Sequence, residues 1–295
     1  MKPVDFEYAR PAALAEALAE MAQNSNAKPM AGGQSLGPML NMRIVKPSKL
    51  IDISRLPELR TRTYSANSAT IGACVSHAEI EDVETRDPTR GFLTHVAGCI
   101  AYRAVRNKGT IGGAVAHADP AADWLCALTA AQATLIVARA PMAGATARRR
   151  LPWFAANALG AYTTRRIDIC AFVAGAYTTT LGLNELLIGV DVPKVSSAVR
   201  WGYVKLCRKV GELADAIGAV IIDPQRGFAR VVAGAVGGAP LLLEAVAREL
   251  AASATAPSLD KVQSEIGAAL PRLDPVKRQQ VAVSVERAIA QALGR

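Results

Sequence analysis

Apolar residues recur at helical spacing over residues 11–22, PAALAEALAEMA, where Leu14, Leu18 and Met21 fall on one face. Pro11 suits the first turn of this predicted helix, where its missing N–H would have no intrahelical partner. The period then shortens. KPMAG (28–32) predicts a strand running into a glycine turn, LIDISRLPEL (50–59) a strand followed by a polar turn, and TIGACVS (70–76) an alternating strand. FLTHVAGCIAYRAVRNKG (92–109) predicts one helix ending near Gly109, with Arg103, Arg106 and Lys108 in its last turns, where cations complement the helix dipole. A second glycine turn, TIGGAVAHADPAADW (110–124), contains Asp119-Pro120, which reads as the N-cap and first residue of a helix reaching about Ala131. ATLIVA (133–138) predicts a strand.

The last third changes character. NELLIGVDVP (184–193) reads as a strand stopped by Pro193, and WGYVKLCRK (201–209) alternates. AIGAVIID (216–223) and RVVAGAVG (230–237) predict two strands joined by a Pro-Gln-Arg-Gly turn. Amphipathic helices follow, one at LLLEAVARELAA (241–252) and one from Asp274-Pro275 that places Val281, Val285, Ile289 and Leu293 on one face. Strands followed by helices mark an α+β domain, so a boundary is expected near residue 180. Residues 139–170 give no clear pattern, and the repeat of GAYTT at 160–164 and 175–179 has no evident physical reason.

At 295 residues, 51% apolar and 20% charged, the chain has enough material for two folded domains with real cores. No apolar run approaches the ~20 residues that span a bilayer. The start, MKPVDFEYARP, carries early acidic residues and no apolar segment, so it does not read as a secretion signal, and the chain reads as cytoplasmic. The net charge of +9 is spread thinly apart from Arg148-Arg149-Arg150 and Arg165-Arg166, and no nucleic-acid motif accompanies it. Acidic partner subunits or an anionic cofactor fit it better than nucleic acid. Cys74, Cys99, Cys126, Cys170 and Cys207 are scattered without a CxxC, and His77, His95 and His117 stand alone, so metal ligation by the usual spacings is not expected.

The candidate chemistry lies in the glycines. AGGQSLGPMLNM (31–42) places Gly32-Gly33-Gln34-Ser35 directly after a predicted strand. Such a turn can aim several N–H donors inward beside a hydroxyl, which suits a phosphate. Thr110-Ile111-Gly112-Gly113 offers the same parts, and two such nests could clasp one pyrophosphate. A Cβ at Gly33 or Gly112 would then intrude where phosphate must sit. A pair of tight turns and nothing more is the alternative, since neither GxGxxG nor GxxxxGK[ST] is present.

The segments AGGQSL (31–36), RIVKPSKLIDI (43–53) and VRNKGTIGGAVAHADPAAD (105–123), taken in order, resemble the flavin subunit of the molybdenum hydroxylases. That family includes xanthine dehydrogenase, carbon monoxide dehydrogenase and bacterial hydroxylases of aromatic N-heterocycles. FVAGAYTTTLGLNELLIGVDVP (172–193), YVKLCRKVGELADAIGAV (203–220) and RVVAGAVG (230–237) extend the resemblance over most of residues 1–240. It departs at 140–170, where relatives show a plain strand–turn–strand. The resemblance implies an α+β fold: a two-part FAD-binding domain over 1–178, with α+β subdomains 1–60 and 61–178, then a smaller α+β domain over 179–295 with an antiparallel sheet plus helices.

The resemblance also implies a site. Ala31, Gly32, Gly33, Gln34 and Ser35, with Met30 and Leu36 at their ends, would wrap the FAD pyrophosphate, and Thr110, Ile111, Gly112 and Gly113 would form the facing turn. Asp123 would contact the flavin, Leu187 would supply an apolar side chain at the isoalloxazine ring, Lys205 a basic group near it, and Ile100 part of the cofactor lining. Each has a plainer alternative: Asp123 as a favourable charge at a helix start, Leu187 as core, Lys205 as a solvated strand residue. Likewise His117 and Asn107 read as turn residues and Asp52 as a strand end. No residue is assigned a catalytic role, because the redox chemistry would belong to FAD. Substrate would be oxidised at a molybdopterin cofactor on a large partner subunit. Electrons would cross two [2Fe-2S] clusters on a small subunit and leave through FAD to NAD⁺, a quinone, a cytochrome or O₂. The implied assembly is a dimer of heterotrimers. A stand-alone flavin oxidase and a scaffold without FAD are the rival readings.

Overall fold

The computed structural model describes residues 2–83, 86–141, 162–253 and 255–294. Its first part contains β1 (Glu7–Ala9), α1 (Leu14–Gln23), β2 (Ala27–Met30), α2 (Leu36–Asn41) and β3 (Lys49–Asp52). The strands form a parallel sheet in the order β1-β3-β2. Helix α1 buries Leu14, Ala17, Leu18 and Met21, as its apolar spacing requires. It starts at Leu14, so Pro11 lies ahead of the helix rather than in its first turn. The Leu14 amide instead donates to the carboxylate of Glu58, at 3.1 Å. Because the strands run parallel, the segments leaving β2 and β3 emerge along one edge, the usual ligand-binding edge of such sheets.

The second part contains β4 (Arg62–Tyr64), β5 (Ser68–Gly72), α3 (His77–Glu81), α4 (Phe92–Cys99), α5 (Arg103–Arg106), α6 (Ile111–His117), α7 (Asp123–Ala130), β6 (Thr134–Arg139), β7 (Thr163–Asp168), α8 (Ile169–Phe172), β8 (Val173–Gly175), β9 (Thr178–Thr179) and β10 (Glu185–Pro193). A five-stranded antiparallel sheet runs β4-β5-β10-β6-β7. Strand β10 is its centre, so NELLIGVDVP belongs to this sheet and not to the last third.

The structure differs from three further expectations. Residues 92–109 form two helices, broken where Ala101 takes a positive φ of 42°. The glycine turn at 110–113 is the N-cap and first turn of α6. Asp119-Pro120 does not open a helix: the Asp119 carboxylate accepts from Ala121 N–H at 2.9 Å, a local turn, and α7 begins at Asp123. Of the unpatterned stretch 139–170, residues 142–161 lie outside the described residues, as does the start of the first GAYTT copy; the second copy bends β8 into β9.

The last part contains β11 (Arg200–Leu206), β12 (Ala216–Asp223), β13 (Phe228–Gly234), β14 (Leu241–Leu242), α9 (Glu244–Ser253), α10 (Leu259–Ala269) and α11 (Pro275–Ala292), its strands antiparallel in that order. Asp274 caps α11 by accepting from Lys277 N–H, and Val281, Val285 and Ile289 are buried as expected. Strand β12 is buried throughout. Ala216, Val220 and Ile222 join the core under the C-terminal helices, while Ile217, Ala219 and Ile221 join the core that contains α7. The two-residue alternation of one strand thus fastens this domain to the preceding one. On neighbouring β11, Tyr203 and Lys205 pair with Ala219 and Ile217 and share their face.

Candidate functional site

The chain leaving β2 turns back within a few residues because Gly33 adopts φ +69°, a conformation that costs other residues energy. Gly32 packs on the backbone of the turn between α5 and α6: a Cβ there would lie 2.6 Å from the Lys108 carbonyl carbon and 2.9 Å from Gly109 Cα. The reversal leaves a row of donors. The backbone N–H groups of Ala31, Gly32, Gly33, Gln34, Ser35 and Leu36 have no hydrogen-bond acceptor among the described residues. Ser35 occupies the N-cap of α2, yet its hydroxyl caps no amide. Gln34 folds over the turn, its Nε2 donating to Gly32 O at 3.1 Å.

The start of this loop, Ala31 and Gly32, lines a groove of about 580 Å³ together with Ser54, Ser76, Lys108 and Thr110. Arg55, Arg60 and Arg103 also reach it, opposed by Glu79 and Asp82. Arg60 pairs with Glu79 at 3.0 Å and Arg103 with Asp82 at 2.6 Å, so Arg55 and Lys108 leave the groove net positive. Ser54 and Ser76 went unnoticed in the sequence. For Ser76 a signal existed: Ser76-x-x-Glu79 is a capping box, and both of its reciprocal hydrogen bonds form.

In the second glycine segment three amides are engaged within the fold. Ile111 N–H donates to Val75 O, Gly112 N–H to Ala73 O at 2.9 Å, and Gly113 N–H to the Thr110 hydroxyl at 3.1 Å. Gly112 is there for packing, since a Cβ would lie 2.7 Å from Ala73 O. Thr110 and Lys108 face the first loop across the groove, whereas Ile111 and Gly112 are buried beneath it.

Asp123 and Lys205 are brought together. The Asp123 carboxylate accepts from the Tyr203 hydroxyl at 2.7 Å and from Lys205 Nζ at 3.0 Å. Lys205 Nζ also donates to Cys99 O at 3.2 Å, next to half-buried Ile100. The ion pair is buried, with 4% of the Asp123 side chain and 8% of the Lys205 side chain exposed. Burial raises the Asp123 carboxyl above its usual range against the opposing pull of Lys205 and Tyr203, and lifts the Tyr203 phenol further. Lys205 is therefore not a solvated strand residue. Leu187 lies in the main core at a bulge of β10.

His77, read in the sequence only as an isolated histidine, links the two groups. Its Nδ1 accepts from Trp124 Nε1 at 3.0 Å, beside Asp123, and its ring lies against Gly109, where a Cβ would come within 2.8 Å. Burial, with a smaller push from Arg106, lowers the imidazole to about 4, so it is neutral near pH 7.

A parallel sheet edge with free amides, a basic groove and a buried carboxylate–ammonium pair fits an anionic dinucleotide, and comparison with known proteins agrees. The chain belongs to the family described as the FAD binding domain in molybdopterin dehydrogenase, whose pattern matches residues 4–195. Over 222 residues it is 35% identical to the glyceraldehyde dehydrogenase medium chain of Sulfolobus acidocaldarius, spanning 75% of this chain and 71% of that one. Over 223 residues it is 34% identical to the carbon monoxide dehydrogenase medium chain of Hydrogenophaga pseudoflava, spanning 75% and 70%. The structure of carbon monoxide dehydrogenase from Hydrogenophaga pseudoflava superposes with a TM-score of 0.83 at 31% identity, covering 100% of this chain and 99% of that one. Such relatives are dehydrogenase subunits, and this chain is an oxidoreductase component of the same FAD-binding, medium-chain kind.

Proposed function

We propose that this chain holds the FAD diphosphate on the 31–36 loop and serves as the electron-transferring medium subunit of a molybdenum hydroxylase. The observation that carries this reading is the row of six amides, Ala31 to Leu36, without acceptors among the described residues, which begins at Ala31 and Gly32 in the wall of a basic groove. Anionic oxygens would satisfy those donors, and Ser35 and Thr110 would add hydroxyls from either side. Asp123 and Lys205 would lie toward the flavin ring, with Ile100 and Leu187 as apolar neighbours. There the buried ammonium would favour negative charge on the ring, while Tyr203 and Asp123 hold it in place. Bound FAD would supply the redox chemistry, accepting electrons from iron–sulfur clusters and passing them to a small-molecule acceptor.

The names of the relatives support partner chains. Besides the two medium chains, a full-length match at 29% identity is the subunit alpha of a 6-hydroxypseudooxynicotine dehydrogenase complex from Paenarthrobacter nicotinovorans. We infer a large molybdopterin-binding subunit, a small subunit with two [2Fe-2S] clusters, a dimer of such heterotrimers, and a cytoplasmic location. Among the described residues no helix is long and apolar enough to cross a membrane.

Two measurements test this. Titrating the flavin-free chain with FAD should give saturable quenching of flavin fluorescence; a chain that takes up no FAD sinks the cofactor reading. Purification from the native host should bring down two further chains together with molybdenum and iron. Recovery as a lone, fully active oxidase would instead establish a stand-alone enzyme.

A further inference from the structure

We propose that Arg106, paired with Glu81, is a positioning residue that presets the far wall of the cofactor groove. Helix α5 has four residues and buries none of them, too little to hold its own shape. Yet the segment it belongs to carries Lys108 and Gly109, the backbone on which Gly32 packs, and ends at Thr110 across the groove. Something outside the helix must fix it.

Arg103 contributes from a half-exposed position, bonding Glu81 Oε2 at 2.7 Å and the two Asp82 oxygens at 2.8 and 2.6 Å, and Arg106 does so from within, at the start of the segment. Its Nη1 donates to the carbonyls of both Ile100 (3.0 Å) and Ala101 (2.9 Å), the residues at the helix break. Ala101 is held there at φ +42°, a conformation that an alanine does not adopt without support. The remaining edge of the guanidinium grips Glu81 with two bonds, Nε to Oε2 at 2.8 Å and Nη2 to Oε1 at 2.9 Å. Glu81 is the last residue of α3, a helix fixed at its start by the Ser76 capping box. The Arg106 side chain is only 13% exposed, so this planar, two-sided contact is shielded from water. Hydrogen bonding from Arg106 accordingly keeps the Glu81 carboxyl below its usual range. The far end of the segment is tied by His77, whose N–H donates to Gly109 O at 2.9 Å. The Lys108–Gly109 turn is thus pinned at both ends before any ligand arrives. Without the Arg106 pin, binding would have to order the turn, and affinity would fall by that ordering cost.

The inference rests on FAD occupying the 31–36 loop, so both are tested in one series. FAD affinity is measured by flavin fluorescence quenching for flavin-free wild type, Arg106→Gln, Arg106→Lys, Glu81→Ala, the Arg106→Gln/Glu81→Ala double variant and Gly33→Val, beside the thermal midpoint of each flavin-free protein. Arg106→Gln and Glu81→Ala should each weaken FAD binding about tenfold or more. The double variant should be at most slightly weaker than Arg106→Gln, since Arg103 then loses Glu81 but keeps Asp82, and Arg106→Lys, which cannot make the two-sided contact, should not rescue. Folded Arg106→Gln that binds FAD within about twofold of wild type would overturn the proposal. Should Arg106→Gln fail to fold, Glu81→Ala decides on the same criterion, and loss of folding in both would make the pair purely architectural and also overturn it. Weakened binding in Gly33→Val with unchanged binding in Arg106→Gln would reject the positioning role alone, whereas no FAD binding by wild type would reject the cofactor reading itself.

Discussion

The loop at 31–36 and the segment at 110–113 are built from nearly the same parts, two adjacent glycines beside a hydroxyl residue, and they use their amides in opposite ways. In the first, Gly33 takes a positive φ and the amides find no acceptor among the described residues. In the second, the amides of Ile111, Gly112 and Gly113 bond to Val75, Ala73 and Thr110, and the glycines admit close packing. The difference lies in what surrounds each. The first follows a parallel strand out to an open edge, while the second is pressed under β5 and starts a helix. The lesson is that a glycine pair specifies only that a Cβ is unwelcome; whether a ligand or a neighbouring backbone excludes it depends on the fold.

Substitutions can break or sharpen this contrast. The largest effect is expected where the second segment leads, at the buried pair. Lys205→Met leaves the Asp123 carboxylate buried with only Tyr203 as partner, which should cost about 3–5 kcal/mol in urea unfolding of the flavin-free chain. Because burial already raises the Asp123 carboxyl, lowering the pH should recover part of this loss as the lone carboxylate takes up a proton. A loss that does not diminish in acid would contradict it.

His77 should give the next largest effect. Its folded pKa of about 4 lies below the ordinary 6.5, so the unfolded chain takes up the proton first. Its contribution is therefore complete above about pH 6.5 and declines as pH falls toward 4, by roughly 3 kcal/mol in total. The stability difference between wild type and His77→Gln, followed over that window, isolates this imidazole from the carboxylates that titrate nearby; a flat difference would be the adverse result.

The two glycines then separate directly. Gly112→Val should cost up to about 3 kcal/mol by overpacking against Ala73, with any change in FAD affinity following from that damage. Gly33→Val would meet only the Met30 side chain, at an ordinary contact of 3.9 Å, and should cost about 1–2 kcal/mol through its positive φ, yet lose FAD binding far more severely. Equal FAD losses at matched stability would erase the contrast between the two segments. Smallest is the pair Thr110→Ala and Ser35→Ala. The former removes a cap and should cost about 1 kcal/mol. The latter removes no cap and should leave the melting curve unchanged while weakening FAD binding.

Much of the fold was legible in the sequence where one period dominates: the face of α1, the strands β2, β10, β12 and β13, and α11 with its Asp274-Pro275 start. The helix break at Ala101 was not, because the carbonyls of Ile100 and Ala101 bond to the Arg106 side chain, a contact the apolar spacing does not register. Nor was the place of β10, since an apolar strand carries no mark of the sheet it joins. The free amides of the first loop were legible because they follow from a strand running into glycines. The Asp123–Lys205 pair was not, as its members lie 82 positions apart.

The sequence by itself determined the family, the order of most elements and the first glycine loop, because these rest on local conformational preference and on residues matched in order along the chain. Tertiary structure alone decided which glycine segment keeps its amides free, which sheet receives β10, and that Asp123, Tyr203 and Lys205 share one buried site. Those outcomes depend on which surfaces meet, and the energy of a buried hydrogen bond or ion pair exists only once distant segments have excluded water between them.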